Sequence, residues 1–272
     1  MNIAVLAMSE VTTAAPVDVG PFLRRRKDRK LLSEAAILAI PAAKRALGTT
    51  DPQEVGLYLG VGREPPEDAT EAAIVAGQKG GELDVCRLGE LGLPLYPPLA
   101  SLRTLPNLVL AHVAIQLGVQ GDAATRAGDG AAGLVALAEA AWAVQEGRCT
   151  FALAGASDSW EHPALRRDMA RRGIDGVGAG AAAFALLAKA STAERLGVEP
   201  MCIITQVHTS MGAAATTSLP HHRTLGRCGA ADGILALVRA MADSKSGELR
   251  IRDETGAVGG VCWRPPAPET SR

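Results

Sequence analysis

The sequence predicts a layered α/β protein, and three observations support this. Its 272 residues are 47% hydrophobic, which is enough to fill a sizeable core. Only 3% are aromatic whereas glycine and alanine are abundant, so the core must pack small side chains with close backbone approach, as helices on sheets do. Apolar segments of strand length also alternate along the chain with segments of helical period.

The first part of the chain begins this alternation. An apolar run at residues 3–7 predicts a first strand, and residues 28–46 predict a helix. Pro41 lies inside that helix and is expected to kink or shorten it. Residues 55–62 predict a buried strand that ends in glycines.

A long segment without this alternation of strands and helices follows. Residues 63–104 are rich in glycine, proline and charge, and predict at most a short helix near 69–76. Residues 105–118 predict a helix, because a proline stands near its start and a glycine at its end. A short strand is expected at 122–127.

The rest of the chain predicts a buried helix and then strands, a helix and a closing hairpin. The segments are a helix at 131–144, strands at 150–157, 181–190 and 201–207, a loop at 209–228, a helix at 228–244 and a hairpin at 248–263. Only Glu139 is charged within the first of these helices, so that helix must be buried on all sides. Residues 265–272 are expected to form a disordered tail.

Charge and composition exclude several classes of partner. A net charge of −1 offers no broad electrostatic footprint for nucleic acid or an anionic membrane. No apolar run reaches the roughly 18 residues that span a bilayer, and no basic stretch precedes the N-terminal apolar run. Five single cysteines without CxxC spacing indicate reduced thiols. A cytoplasmic protein without cofactor, metal, nucleic-acid or membrane partner is expected.

One basic run stands out at residues 24–30, RRRKDRK. It leads into the first predicted helix, so one interpretation is a solvated helix start. The other interpretation is a docking patch for an acidic partner.

Five segments carry a resemblance to the β-ketoacyl synthase family, and two of them, residues 25–47 and 55–62, resemble its early helix and its second strand. Residues 105–159 resemble the stretch in which a proline-asparagine helix, a strand and a T-A-C-A-S-G bend precede a buried helix and an L-A-G-G strand. Residues 171–197 resemble its D-G-x-x-x-G-E-G-A strand, and residues 225–237 its G-H-x-x-G-A-A-G helix start. The resemblance implies one domain over residues 1–264 with a thiolase-like αβαβα layered fold, a reduced C-terminal half and a dimeric assembly.

The family's catalytic groups do not carry over. The resemblance places Gly130 at the position of the nucleophilic cysteine, directly after Asp129, whose carboxylate suits a helix N-terminus. Arg227 falls at the second histidine, where one residue is missing from the match. The loop with the first histidine has no counterpart, because only about twenty residues separate the strand at 201–207 from the next helix. Claisen condensation therefore lacks its thiolate and both imidazoles.

Other histidines and cysteines of the chain are disfavoured as metal ligands or nucleophiles. His221 and His222 beside Cys228 do not predict a zinc site, because adjacent histidines point apart on an extended chain. His112, in a largely apolar helix, is interpreted as a packing residue. Cys202 and Cys228 are disfavoured as replacement nucleophiles, because nothing nearby in sequence predicts a base.

Two functions remain from these arguments. The resemblance implies a non-catalytic, chain-length-factor type subunit. Such a subunit pairs with an active ketosynthase in bacterial type II polyketide, aryl-polyene or fatty-acid-like biosynthesis, shapes the acyl tunnel and dimer, and has an acyl carrier protein as a further partner. The alternative is a thiolase-fold acyltransferase or hydrolase with relocated catalytic residues.

The resemblance also implies where the partner lies. In the thiolase fold the strand before the nucleophile bend pairs with its copy across the dimer. Here that strand comprises Asp122, Ala123, Ala124, Thr125, Arg126 and Ala127. A heterodimer with an active ketosynthase through residues 105–147 is expected, and a homodimer when the chain is isolated.

Overall fold

Strands and helices alternate through the described part of this computed structural model, which comprises residues 1–64, 68–171, 173, 178–211, 226–243, 246–253 and 255–266. The strands are β1 (Ile3–Thr12), β2 (Val55–Val61), β3 (Gln78–Lys79), β4 (Glu82–Leu83), β5 (Ala123–Ala127), β6 (Phe151–Ser159), β7 (Gly180–Lys189), β8 (Cys202–Met211), β9 (Gly247–Arg252) and β10 (Ala257–Arg264). The helices are α1 (Glu34–Leu47), α2 (Asp68–Ala76), α3 (Val85–Arg87), α4 (Ser101–Thr104), α5 (Asn107–Leu117), α6 (Ala132–Glu146), α7 (Pro163–Arg171), α8 (Ala190–Leu196) and α9 (Asp232–Ala242).

Eight of the strands form one mixed sheet in the order β5-β2-β6-β7-β1-β8-β10-β9, and β3 and β4 form a separate hairpin. β2 is parallel to both β5 and β6, while the remaining pairs are antiparallel. β1 meets β8 over only three residue pairs, from Ile3–Ile204 to Val5–Cys202. The sheet is therefore a five-strand first half joined by a short seam to a three-strand second half, with β5 and β9 at its edges.

Helices cover both faces of the first half. α1 packs on β1, β6 and β7 with α5 beside it. On the opposite face α6 packs on β2 and β6, and its other side contacts β10. α9 lies next to α6 and contacts β7 and β9. The layers run helix, sheet, helix, sheet, so the predicted layered α/β fold with a reduced C-terminal half is confirmed.

Glycines allow α6 to lie unusually close to the sheet. A Cβ added to Gly60 of β2 would lie 2.6 Å from the main-chain nitrogen of Gly133 in α6. A Cβ on Gly133 would lie 2.8 Å from Ala156 Cβ and 2.9 Å from Ile234 Cβ. This contact explains the small-residue composition, because larger side chains at the crossing would separate the layers.

The predicted start of the first helix is wrong. α1 begins at Glu34, because Ser33 caps it by accepting a hydrogen bond from the Ala36 N–H at 3.3 Å, and residues before it form a 3-10 turn. Pro41 does not end the helix, which continues to Leu47. Its burial against three strands outweighs the lost main-chain hydrogen bond.

Strand pairing corrects the predicted loop at 209–228. β8 continues to Met211, because Met211 pairs with Ala257 of β10. Local sequence does not show this pairing, since the partner lies far along the chain. Residues 212–225, with His221 and His222, and residues 267–272 of the predicted tail lie outside the described residues. In the described ranges no helix is long and apolar enough to cross a bilayer.

Candidate functional site

The bend before α6 is buried and closed by main-chain bonds. Asp129 is only 8% exposed. The Gly128 N–H donates to the Val61 carbonyl at 3.0 Å, and the Ala132 N–H to the Asp129 carbonyl at 2.8 Å. The N-cap residue is Ala131, which has no side-chain cap. The side-chain cap expected at this bend is therefore not seen at the N-cap position.

The start of the second-half helix lies against this bend. A 3-10 turn, Gly229–Ala231, leads into α9, and the Gly233 N–H donates to the Gly130 carbonyl at 3.1 Å. Two buried helix starts, one from each half of the chain, thus meet at Gly130. Helix N-termini carry partial positive charge, so acidic groups are expected to gather here.

Asp158, at the end of β6, is one of these buried acids. Its Oδ1 accepts from the Ser159 N–H at 2.8 Å, and its Oδ2 from Trp160 Nε1 and the Ala230 N–H, both at 2.9 Å. Burial raises the pKa of this carboxyl to about 7, although the three donors offset part of that effect. Sequence reasoning missed Asp158; its one signal was a charged residue inside an apolar strand.

Glycines make room for this carboxylate on both sides. A Cβ on Gly62 would lie 1.8 Å from Asp158 Oδ2, and one on Gly229 would lie 2.0 Å from the same atom. Gly229 also has φ +52°, a left-handed conformation that favours glycine. The end of β2 and the start of the second-half helix therefore both close on Asp158.

Arg227, the position that the resemblance gives to the second histidine, is buried in the same region. Its Nε donates to Asp232 Oδ2 at 3.1 Å, and its guanidinium carbon lies 5.9 Å from the centroid of the Trp160 ring. Asp232 Oδ1 also accepts from the Cys228 N–H at 2.7 Å. Burial raises the pKa of Asp232 to about 6 against the opposing effect of these donors. The cluster ties the start of α9 to Trp160.

A cavity of about 270 Å³ opens in front of the bend. Asp129, Asp158, Asp168 and Arg63 supply its charged walls. The described residues that line it include neither cysteine nor histidine. A second cavity of about 380 Å³ adjoins it and shares Ala127, Gly128 and Thr255 with it.

The buried thiols are poorly suited to replace a missing nucleophile. Burial raises the pKa of Cys228 to about 12, and the carboxylates of Asp232 and Asp158 add to this effect. Burial alone raises the pKa of Cys202 to about 12. Both thiols stay protonated at neutral pH, and the thiolate is the reactive form. In the part of the chain that the structure describes, no group of three metal-ligating side chains is found.

The predicted interface strand lies at an open sheet edge. Ala123–Ala127 forms β5, which is parallel to β2 on one side and is largely exposed. Arg126 Nε donates to Glu139 Oε1 of α6 at 2.7 Å. Asp122, just before the strand, accepts from Tyr58 Oη at 2.6 Å and pairs with Arg148. The Tyr58 hydrogen bond and Arg148 hold the pKa of Asp122 below its usual value.

Exposed apolar side chains concentrate between β2 and β5. They are Ile74, Val75, Leu83, Val85, Leu91, Leu93, Leu95, Leu99, Leu105 and Ile115. Helix α5 is apolar on most of its surface but is only partly buried. Contiguous exposed apolar surface is typical of interaction faces.

The basic run is held as a turn with its cations outward. Asp28, the one buried member, accepts from Arg25 Nε and from Gln116 Nε2, both at 3.2 Å. The Arg24 N–H donates to Gln116 Oε1 at 2.7 Å. All six arginines and lysines of residues 24–30 are exposed. The run is therefore a fixed basic surface on a 3-10 turn and does not begin α1.

Comparison with known proteins identifies the architecture. The family model for the β-ketoacyl synthase N-terminal domain matches residues 26–184. A search of curated proteins found no match. Similar solved structures include a type II polyketide synthase acyl carrier protein in complex with its ketosynthase bound to the hexaketide (TM-score 0.79, 15% identity, 97% of this chain and 99% of that chain covered).

Two further structures are similar. A β-ketoacyl synthase from Burkholderia phymatum STM815 has TM-score 0.72 and 14% identity, with 98% of this chain and 100% of that chain covered. The ishigamide ketosynthase/chain length factor has TM-score 0.70 and 17% identity, with the same coverage. At these identities the matches show the fold, and the predicted thiolase-like fold is confirmed.

Proposed function

Because the match over residues 26–184 shows that the chain belongs to the β-ketoacyl synthase family, we propose that it is a non-catalytic subunit of chain-length-factor type. It pairs with an active β-ketoacyl synthase in bacterial type II polyketide, aryl-polyene or fatty-acid-like biosynthesis, and shapes the acyl tunnel. The observation that carries this proposal is the bend before α6. There Gly130, which has no side chain, follows Gly128 and Asp129, and these two residues line a cavity whose described walls hold no thiol or imidazole.

The chemistry of the site supports this proposal. Condensation needs a nucleophile that carries the acyl group and donors that stabilise an enolate oxygen. Glycine has no side chain to acylate. Arg227 is engaged by Asp232 and by the face of Trp160, so its guanidinium serves packing between the two halves.

Two features of the surface support the proposed pairing with a partner subunit. An open strand edge beside apolar side chains is an aggregation liability, which a partner normally covers. β5 provides the edge. Leu105, just before α5, and Ile115, within α5, are both about half exposed. A ketosynthase subunit of the same fold that pairs along β5 would cover both features.

The basic surface at residues 24–30 supports a second partner, an acyl carrier protein. Its six exposed cations favour an acidic protein, since complementary charge accelerates association and selects the partner. One similar structure is itself a carrier protein bound to its ketosynthase. We assign this surface to carrier-protein docking.

One substitution tests the pairing. Ala124→Arg places a charge on the half-buried face of the edge strand, so we expect the variant to lose its complex with co-expressed ketosynthase. Size-exclusion chromatography with light scattering measures this loss. Leu196→Arg, on exposed α8, is the matched control and should leave the complex intact. Isolated parent chain is expected to form a homodimer.

Two outcomes would contradict the pairing. One is a parent chain that stays monomeric with every co-encoded ketosynthase. The other is an Ala124→Arg variant that assembles as the parent does.

A second candidate function is acyl transfer or hydrolysis with relocated residues. The observation that favours it is Asp158, whose pKa of about 7 suits a general base and which lines the cavity. Its two oxygens, however, already accept three hydrogen bonds. The candidates differ in one measurable property, because only the second requires turnover of an acyl thioester by the isolated chain.

A further inference from the structure

A third cavity, of about 190 Å³, lies at the opposite end of β6 from the bend. Asp158, near the end of this nine-residue strand, lines the bend cavity, whereas Thr150, directly before the strand, lines the third cavity. A strand rises about 3.3 Å per residue, so these two residues lie about 25 Å apart along it. The third cavity is therefore separate from the bend and its acids.

The strand register and one helix face bring the polar side chains of this cavity together. Phe151 of β6 pairs with Ala188 of β7, so Thr150 comes opposite Lys189. Thr192 and Arg195 follow on α8, and residues three apart share one face of a helix. Two cations and two hydroxyls thus line a single cavity.

The two cations of this wall are not engaged elsewhere in the described structure. Lys189 is half-buried, and its ammonium nitrogen lies 4.0 Å from the position of a Cβ added to Gly147, another residue of the wall. Arg195 is exposed at the rim. Neither side chain forms a hydrogen bond or an ion pair with a described residue. Their donors are therefore available to a ligand that carries negative charge.

The carboxylates closest in sequence do not belong to the described lining of this cavity. Glu146 pairs with Arg148. Glu194 precedes Arg195 directly on α8, and adjacent residues of a helix do not face each other. The Cys149 thiol, also in the wall, has its pKa raised by burial and stays uncharged at neutral pH. None of these groups repels an anion from within the described wall.

The size and the donors of the cavity select the kind of anion. Pockets for drug-sized organic ligands usually have about 300–1,000 Å³, so this cavity suits a small group. The guanidinium fork matches the oxygens of a phosphate, and lysine binds phosphate as a point charge. Threonine hydroxyls donate to the remaining oxygens. A dianion with several acceptor oxygens uses all four side chains.

We propose that this cavity binds a phosphate group, held by Lys189 and Arg195 with the hydroxyls of Thr150 and Thr192 as further donors. The group has two sources of the same chemistry. It is free inorganic phosphate, or it is the terminal phosphate of a small ester. Thr150 and Arg195 are exposed, so the cavity opens to solvent and leaves room for the stem of an ester.

Titration calorimetry of the full chain with inorganic phosphate, at neutral pH and constant ionic strength, tests the site. The parent binds phosphate, and Lys189→Gln and Arg195→Gln each weaken binding about tenfold, because a hydrogen bond between charged groups is lost. Neither residue is buried, so circular dichroism and the urea midpoint without phosphate should change little. Lys44→Gln, exposed on α1 and outside the cavity, makes the same charge change and binds phosphate as the parent does. Acetate, which carries a single charge, does not bind.

A parent that shows no phosphate binding up to about 10 mM, at the weak end of measurable affinity, overturns the proposal. So does equal binding by Lys189→Gln and Arg195→Gln, an equal loss in Lys44→Gln, or equal binding of acetate. Glycerol 3-phosphate separates the two sources. Tighter binding of this ester than of phosphate identifies an ester as the ligand, and equal or weaker binding identifies the free ion. The isolated chain serves for every arm, so the result does not depend on the proposed pairing with a ketosynthase.

Discussion

The carboxylate of Asp158 is packed closely against the neighbouring glycines. Gly62→Ala would place a Cβ 1.8 Å from Asp158 Oδ2, so the carboxylate must move and its bonds to Trp160 and Ala230 must weaken. We expect the free energy of unfolding to fall by about 1–3 kcal/mol, the usual cost of overpacking. Urea unfolding followed by circular dichroism measures it.

Gly89→Ala is the control for this change. An added Cβ there meets nothing within 4 Å, and the backbone is not left-handed, so stability should stay within about 0.5 kcal/mol of the parent. Equal stability of the two variants would show that Asp158 does not occupy the space beside Gly62.

Secondary structure could be predicted best where one element buries a continuous apolar run. β2 and α6 were predicted within about two residues, because glycines mark their ends and few charges interrupt them. α7 and α8 were missed, because α7 is mainly polar with only Met169 buried and α8 has only seven residues.

α6 is the element on which the proposed loss of catalysis depends. In Gly130→Cys a thiol stands close to the helix N-terminus, where the dipole lowers a thiol pKa. We expect intact mass to show one adduct with an electrophilic acyl probe on this variant and no specific adduct on the parent. We also expect no carbon–carbon bond formation from acyl- and malonyl-carrier substrates, because the restored thiol has no imidazole partners.

Condensation by Gly130→Cys alone would contradict the proposed function. A specific adduct on the parent chain that disappears when one cysteine is replaced by alanine would favour the second candidate.

At the scale of the molecule, polar contacts join the two halves, and the hydrogen bond from the Ala230 N–H to Asp158 is one of them. The folded pKa of Asp158 is about 7 against an ordinary value of 3.8. Between about pH 4 and pH 7 the unfolded chain therefore ionises this carboxyl while the folded chain keeps the proton. The stabilisation is complete below about pH 4 and is lost as the pH rises through 7.

The pH dependence of unfolding measures this contribution. We expect the free energy of unfolding to decrease from about pH 4.5 to about pH 7.5, because this range covers most of the interval between the ordinary and the folded pKa of Asp158. The decrease should be smaller in Asp158→Asn. Asp232, with a pKa raised to about 6, acts in the same direction in both proteins. Asp243→Asn, at an exposed position, should keep the parent's slope. A slope unchanged by Asp158→Asn would show that this carboxyl is ionised in the folded protein.

The site could be predicted from the sequence only where a family motif marks it. Gly130 and Arg227 were found by their place in such motifs, and that equivalence stays a prediction. Asp158 and Asp232 were not found, because each is significant through partners that folding brings together.

The two edge strands of the sheet differ in how many charged side chains they carry, and this limits how many chains could add along the sheet. β9 carries Glu248, Arg250 and Arg252 along six residues, with Glu248 and Arg250 paired to each other. Charged side chains of this density block a further strand from adding at that end. Of the two edge strands in the described sheet, β5 is the one left open, so under the proposed pairing each chain offers one edge, and two such edges that meet cover one another. The proposed association along the sheet would then stop at a pair and would not proceed to a fibre.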